Sequence, residues 1–149
     1  MYPYKIMNYV GYEIELRTLM GVTADELTDD EINSLPIMPS AERDVVRLIP
    51  NYVDYLGTDA ETDLFLAVIS FAAFYALPGV KLKLLQTETD NKTGATRFKD
   101  AIAVSPTSFK AKAIRYVANV IGDDNFADTA VFDVVKPSID VITGEEYVA

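Results

Sequence analysis

Residues 64–77 read LFLAVISFAAFYAL. Over these fourteen positions the only polar side-chain atoms are the hydroxyl of Ser70 and the phenol of Tyr75, and no residue is charged. As a helix the run is roughly 21 Å long at about 1.5 Å per residue. A helix that is apolar all round must be enclosed all round, either by other helices or by a bilayer. The apolar run reaches Val80 and is interrupted by Pro78-Gly79, short of the roughly 20 residues that a membrane span needs. Asp59, Glu61 and Asp63 precede it and Lys81 and Lys83 follow, which is the charge order that the helix dipole favours. The expectation is therefore a mainly α protein, a small helical bundle around a central apolar helix at about 60–77.

Working outward towards the N-terminus, Ser40 is positioned to cap a helix that runs to Gly57. Val45, Ile49, Tyr52 or Val53, and Leu56 keep one face apolar across Pro50, so a kink is expected there and not a break. Before it, Pro36 and Pro39 suggest an extended link. Thr23-Ala-Asp-Glu26 and Thr28-Asp-Asp-Glu31 both fit the capping box, in which a hydroxyl and a glutamate three residues on satisfy orphan amides. Thr28 is the preferred cap, opening a short helix through Ser34. Asp29, Asp30 and Glu31 are explained better as first-turn acids than as metal ligands. Tyr12, Leu16, Leu19 and Met20 fall at helical spacing with Gly21 as a stop. Val10, Tyr12, Ile14 and Leu16 also alternate as a strand would; the helix is preferred.

Towards the C-terminus, Val80 to Leu85 fits either a continued helix or a strand, and residues 86–100 read as an exposed polar loop. Ser105-Pro106 opens a last helix in which Phe109, Ala113, Tyr116 or Val117, and Val120 form the buried stripe. Lys112, Arg115 and Asn119 lie opposite, and Gly122 ends it. Beyond it, residues 131–135 and 139–142 are β-branched runs separated by Lys136-Pro137-Ser138. Such strands are marginal alone, so they pair with each other or with another subunit, and the second is favoured. The organisation expected is an N-terminal arm (1–11), a helical domain (12–122) and an extended C-terminal arm (123–149). The arm carries Tyr2, Tyr4 and Tyr9, large amphipathic side chains of the type enriched at interfaces. It lies either on its own domain or on a neighbour, the neighbour being slightly favoured.

The chain has 149 residues, no cysteine and no histidine. Thiolate zinc sites, Ser-His-Asp triads and Cys-His nucleophiles are thereby excluded. No phosphate-binding glycine loop is present, and Asp123-Asp124-Asn125 with Asp128 lacks the glycine and closing glutamate of a calcium loop. No carboxylate pair stands out among the 23 acids, so neither catalytic nor metal residues are nominated, and no cofactor is expected. The N-terminus has no basic region followed by an apolar stretch and cleavage site, so no signal peptide is expected. The net charge of −10 argues against a nucleic-acid binder. It is distributed in blocks: −9 over residues 1–63, +5 over 64–122 and −6 over 123–149. An acid–base–acid order suits either a solvated surface or head-to-tail contact between copies, since complementary charge fixes register.

Several stretches carry a resemblance. Glu15-Leu-Arg-Thr-Leu-Met-Gly-Val22 followed by Leu27-Thr-Asp-Asp-Glu-Ile32 resembles the opening helix, glycine turn and Leu-x-Asp-x-x-Ile lead-in of the head–tail connector (adaptor, or head-completion) proteins of tailed bacteriophages and related prophages. Ala41-Glu-Arg-Asp-Val-Val46 is similar to that family's second helix, and the apolar helix running into Pro78 to its third. Arg97-Phe-Lys-Asp100 and the helix over 109–121 resemble its polar loop and last helix. The match covers residues 12–122, and the two arms have no counterpart. The resemblance implies a structural virion protein, a homo-oligomeric and commonly dodecameric ring beneath the portal protein. Such a ring extends the DNA channel without gripping the DNA and meets a stopper or tail-terminator protein, with no catalysis and no membrane. A tail-completion or tail-terminator subunit and a monomeric binding module are the alternatives. The contact residues nominated are Tyr2, Tyr4, Tyr9, Phe132 and Val134 as apolar anchors, with Arg97, Lys99, Lys112 and Arg115 as charged partners.

Overall fold

The computed structural model describes residues 4–88 and 105–123. They are mainly helical, with no strand among them. In chain order the elements are α1 (Tyr12–Met20), α2 (Asp29–Ile32), α3 (Met38–Leu48), a 3₁₀ turn (Tyr52–Tyr55), α4 (Glu61–Glu88) and α5 (Pro106–Ile121). Helix α4 is the common partner, packing most extensively on α5, then on α3 and on α1. The expected strands after residue 123 lie outside the described residues, as does the expected 86–100 loop from residue 89 onward, while its residues 86–88 are helical and belong to α4.

The 28-residue α4 is roughly 42 Å long. Leu64, Ala67, Val68, Ala72 and Ala73 are fully buried in it, while Phe65, Leu66, Phe74 and Tyr75 are only half-covered. Each fully enclosed Leu or Val contributes about 1.5–3 kcal/mol, and the buried alanines let neighbouring helix axes come close. Distinct polar or aromatic contacts tie α4 to each surrounding segment. Phe65 meets Tyr9 at 5.1 Å between ring centroids, and the Tyr75 hydroxyl donates to Asp44 of α3. Lys110 of α5 sits 5.6 Å over the Phe74 ring, and Lys83 pairs with Glu31 of α2 at 2.5 Å.

Three sequence expectations change. The central helix does not stop near residue 77; it runs through Pro78 and Gly79 to Glu88. Pro78 removes one N–H donor from the helix, but its position is exposed, where water can serve the released carbonyl of Phe74. Lys81 and Lys83 consequently lie inside the helix, not at its end, and by length and composition Glu61–Gln86 is long and apolar enough to cross a membrane. The short apolar run is therefore no reason against a span; what distinguishes this helix is that most of its apolar stretch is buried against the rest of the chain.

The second change is at Pro50, where the chain breaks. Ile49 takes φ −127° and ψ 77°, outside the helical region as a residue before proline is driven to be. A 3₁₀ turn replaces the expected continuation. Val45 and Ile49 remain buried, but Val53 is exposed. The third change is at the start of α3, which begins at Met38 with Pro39 in its first turn and not at a Ser40 cap. Ser40 Oγ instead donates to the Leu35 carbonyl. Proline is well suited to a first turn, where no N–H partner is available.

The glycine stops of α1 and α5 follow the sequence, whereas the stop expected at Gly57 is pre-empted by the break at Pro50. Gly21 and Gly122 take φ of 68° and 69°, a left-handed conformation that glycine adopts without strain. In each case the next residue's N–H returns to the last turn: Val22 to the Arg17 carbonyl and Asp123 to that of Ala118. Thr28 and Glu31 form the reciprocal capping box of α2, which ends at Ile32, two residues short of Ser34. At Thr23, Glu26 accepts the backbone N–H, but only a turn forms there. On α5, Phe109, Ala113, Val117 and Val120 are buried and Lys112, Arg115 and Asn119 exposed, as the spacing implies.

Candidate functional site

On α3 the positions Met38, Glu42 and Val45 share one face, Ile49 follows just past its end, and all four are buried. Three are apolar and one is a carboxylate, only 7% exposed. A buried charge without partners is strongly unfavourable, and Glu42 obtains its partners from the chain's own N-terminal segment. Its Oε1 accepts the Lys5 backbone N–H, and its Oε2 accepts that of Met7 at 3.4 Å. These bonds hold the segment along α3, with Ile6 and Met7 fully buried in the core. The described part of the arm, residues 4–11, thus packs on its own domain. The period-free segment contains two large apolar residues whose burial outweighs extension.

Tyr4, Tyr9 and Tyr12 gather at this junction. Tyr4 and Tyr9 each meet Tyr12 edge to face, at 6.0 and 6.3 Å between centroids, a geometry that aligns ring edges with ring faces. The hydroxyls of Tyr4 and Tyr12 both donate to Asn33 Oδ1, and Asn33 Nδ2 donates to the Asp29 carbonyl at 2.9 Å. The Tyr9 hydroxyl donates to Glu15. Burial, and then this bond to a carboxylate, push the Tyr9 phenol well above the usual tyrosine range.

Beside the clamp lies an open groove of about 690 Å³. Leu35, Pro39 and Val46 give it apolar walls, and Lys5, Arg43 and Arg47 bring cationic side chains to it. Leu35 is 79% exposed. Arg43 is 3.5 Å from Asp44, a contact that is weak at this exposure. Glu42 also lines the groove, but its oxygens already face two backbone donors. What remains for a ligand is apolar surface rimmed by positive charge, suited to holding an acidic group attached to an apolar one. Among the described residues no three carboxylates cluster as metal ligands. Asp29 is paired with Arg17 and Glu31 with Lys83, so two of the three first-turn acids of α2 have cationic partners.

Of the nominated contact residues, Tyr2, Arg97, Lys99, Phe132 and Val134 lie outside the described residues. Tyr4 and Tyr9 are half-buried in the aromatic cluster, with Tyr4 also reaching the groove. Lys112 and Arg115 are exposed, three positions apart on the outward face of α5, and Lys112 sits 5.9 Å over the Phe109 ring. The groove residues Lys5, Asn33, Glu42, Arg43 and Arg47 were not among the nominations. One signal was available: a glutamate at position 42 interrupts an otherwise apolar stripe, with arginines one and five residues later. Comparison with protein families, with curated proteins and with solved structures finds no match to this chain.

Proposed function

We propose that this protein is a structural subunit that assembles into a ring at the head–tail junction of a tailed bacteriophage, joining the portal to the tail or neck. The observation that carries this reading is the order of helices: α1 closed by Gly21, the capping-box helix α2, the helix α3, the long apolar α4 and the amphipathic α5. This is the order to which the resembling stretches belong. The architecture is then a small helical bundle around α4, whose burial against the other helices suits a core helix in water better than a span. The acid–base–acid charge blocks supply complementary faces for neighbouring copies. The net negative charge suits a channel lining that lets DNA pass without binding it, because like charges repel and no counterions are released. In this reading the ring is commonly dodecameric, needs no cofactor, catalyses nothing and resides in the virion after assembly in the host cytoplasm.

A tail-completion or tail-terminator subunit would be sheet-rich, and the helical content of the described residues weighs against it. A monomeric protein-binding module draws its support from the groove beside Glu42. Measuring the mass of the purified protein, alone and mixed with a portal ring, separates these readings. A closed oligomer that adds to the portal is expected. A monomer that ignores the portal at every concentration would refute the connector reading.

A further inference from the structure

We infer that the groove between the N-terminal segment and α3 is the seat for the acidic C-terminal tail, residues 124–149, of a second copy of this chain. The inference rests on the self-assembly proposed above and names the contact that performs it.

Three features of the groove select such an occupant. Its charge is positive: Lys5, Arg43 and Arg47 stand at it, while the one carboxylate deep in it, Glu42, is engaged by the N–H groups of Lys5 and Met7. Its walls are apolar, with Leu35 fully presented and Val46 half-covered. Its volume, about 690 Å³, takes a few side chains of an extended segment and is too small for a packed helix. The tail is opposite in charge and matches the groove in apolar character. From residue 123 onward there are seven acids and one base, and these alternate with Phe132, Val134, Ile139, Val141 and Tyr147, so that acid and apolar groups are adjacent along the chain. Complementary charge steers such an encounter and sets its register, while the apolar side chains supply most of the attraction. The remainder of the chain is itself acidic at its N-terminal end, which leaves this groove as a local exception to the surrounding sign.

The test uses the full chain. Arg43→Glu with Arg47→Glu reverses two exposed groove charges, and circular dichroism verifies that the helices are retained. Sedimentation velocity at low salt is expected to show the wild-type oligomer dissociating about tenfold more readily in this variant, since like charges placed together oppose association. A labelled peptide of residues 124–149 titrated into the full chain is expected to bind the wild type and to lose at least that factor on the variant. Raising the salt should weaken peptide binding, as exposed charge pairs are screened. Reversal of Glu145 and Glu146 to lysine in the same chain as the groove reversal should restore the oligomer. An oligomer unaffected by groove reversal overturns this inference and leaves the ring reading standing. A wild-type monomer overturns both. A monomer whose groove reversal changes only its own compactness shows the tail seated in its own chain and overturns the second-copy assignment.

Discussion

Glu42 and Lys5 are joined across 37 positions of sequence by a hydrogen bond from the Lys5 backbone N–H to the Glu42 carboxylate. A charge that interrupts the apolar face of α3 is what anchors the N-terminal segment. The same carboxylate also accepts from Met7, so that both of its oxygens face backbone donors of that segment. Packing of Ile6 and Met7 and placement of Tyr4 follow from these bonds, while Lys5, Arg43 and Arg47 give the groove its positive sign.

Replacing Glu42 by alanine leaves the Lys5 and Met7 N–H groups without their acceptor, the first part-buried and the second buried. A loss of about 2–4 kcal/mol is expected from the unmet donors and the lost charge-assisted bonds. Urea denaturation measures the total. Amide hydrogen exchange should accelerate at Lys5 and Met7 far more than at Val45. Unchanged exchange at those two amides would show that the carboxylate is not their acceptor.

Glu31 is held below the usual carboxylate range, first by the hydrogen bond from Lys83 and then by the Thr28 backbone N–H. Its folded value is depressed, so its contribution to stability is present at neutral pH, above the unfolded value. That contribution fades as pH falls through the folded value. Both partners are more than a third exposed, at 38% and 39%, which keeps the pair's worth at about 0.5 kcal/mol or less. Lys83→Met should raise the Glu31 value in a carbon-detected NMR titration and flatten the acid limb of the stability curve. A Glu31 titration indifferent to Lys83 would contradict the pairing.

Tyr75 is raised by burial and by its bond to Asp44, and Tyr9 by burial and by Glu15. A raised phenol contributes stability that is complete below the unfolded value of about 10 and is lost as pH rises towards the folded value. The wild type should therefore weaken on the alkaline side more steeply than Tyr75→Phe or Tyr9→Phe. Phenolate absorbance during an alkaline titration reads this directly, with Tyr9 and Tyr75 ionising late. Their ionising with the rest would remove both bonds.

Pro78 lies within α4 at an exposed position. Pro78→Ala returns the N–H that the Phe74 carbonyl lacks and is expected to stabilise by about 1–3 kcal/mol. In the opposite direction, Leu64→Ala, at a fully buried position, should cost about 2–5 kcal/mol. Thermal unfolding orders the two about the wild type. Destabilisation by Pro78→Ala would mean that the proline ring makes a contact worth more than the missing bond.

Much of the fold is legible because local chemistry specifies it. The glycines at 21 and 122 provide left-handed ends, Thr28 and Glu31 satisfy each other's amides, and the spacing of Phe109, Ala113, Val117 and Val120 marks a buried stripe. Prolines were harder, since their effect depends on surroundings. Pro50 breaks its helix where an apolar stripe suggested continuity, and Pro78 leaves its helix intact where the run seemed to end. The groove was not legible, because it is made by residues from 4 to 47 that no local pattern links.

By itself the sequence determined that an uncharged helix at 64–77 needs enclosure, where α1, α2 and α5 begin or end, and that neither cysteine nor histidine chemistry is open to this chain. These are matters of side-chain type and short-range spacing. Only the tertiary structure decided that residues 4–11 fold onto their own domain, that α4 continues to Glu88, and that Lys5, Arg43 and Arg47 gather at one groove. Each of these turns on what a backbone N–H or a charge meets across the fold, and such partners are brought together by packing, at separations no local pattern encodes.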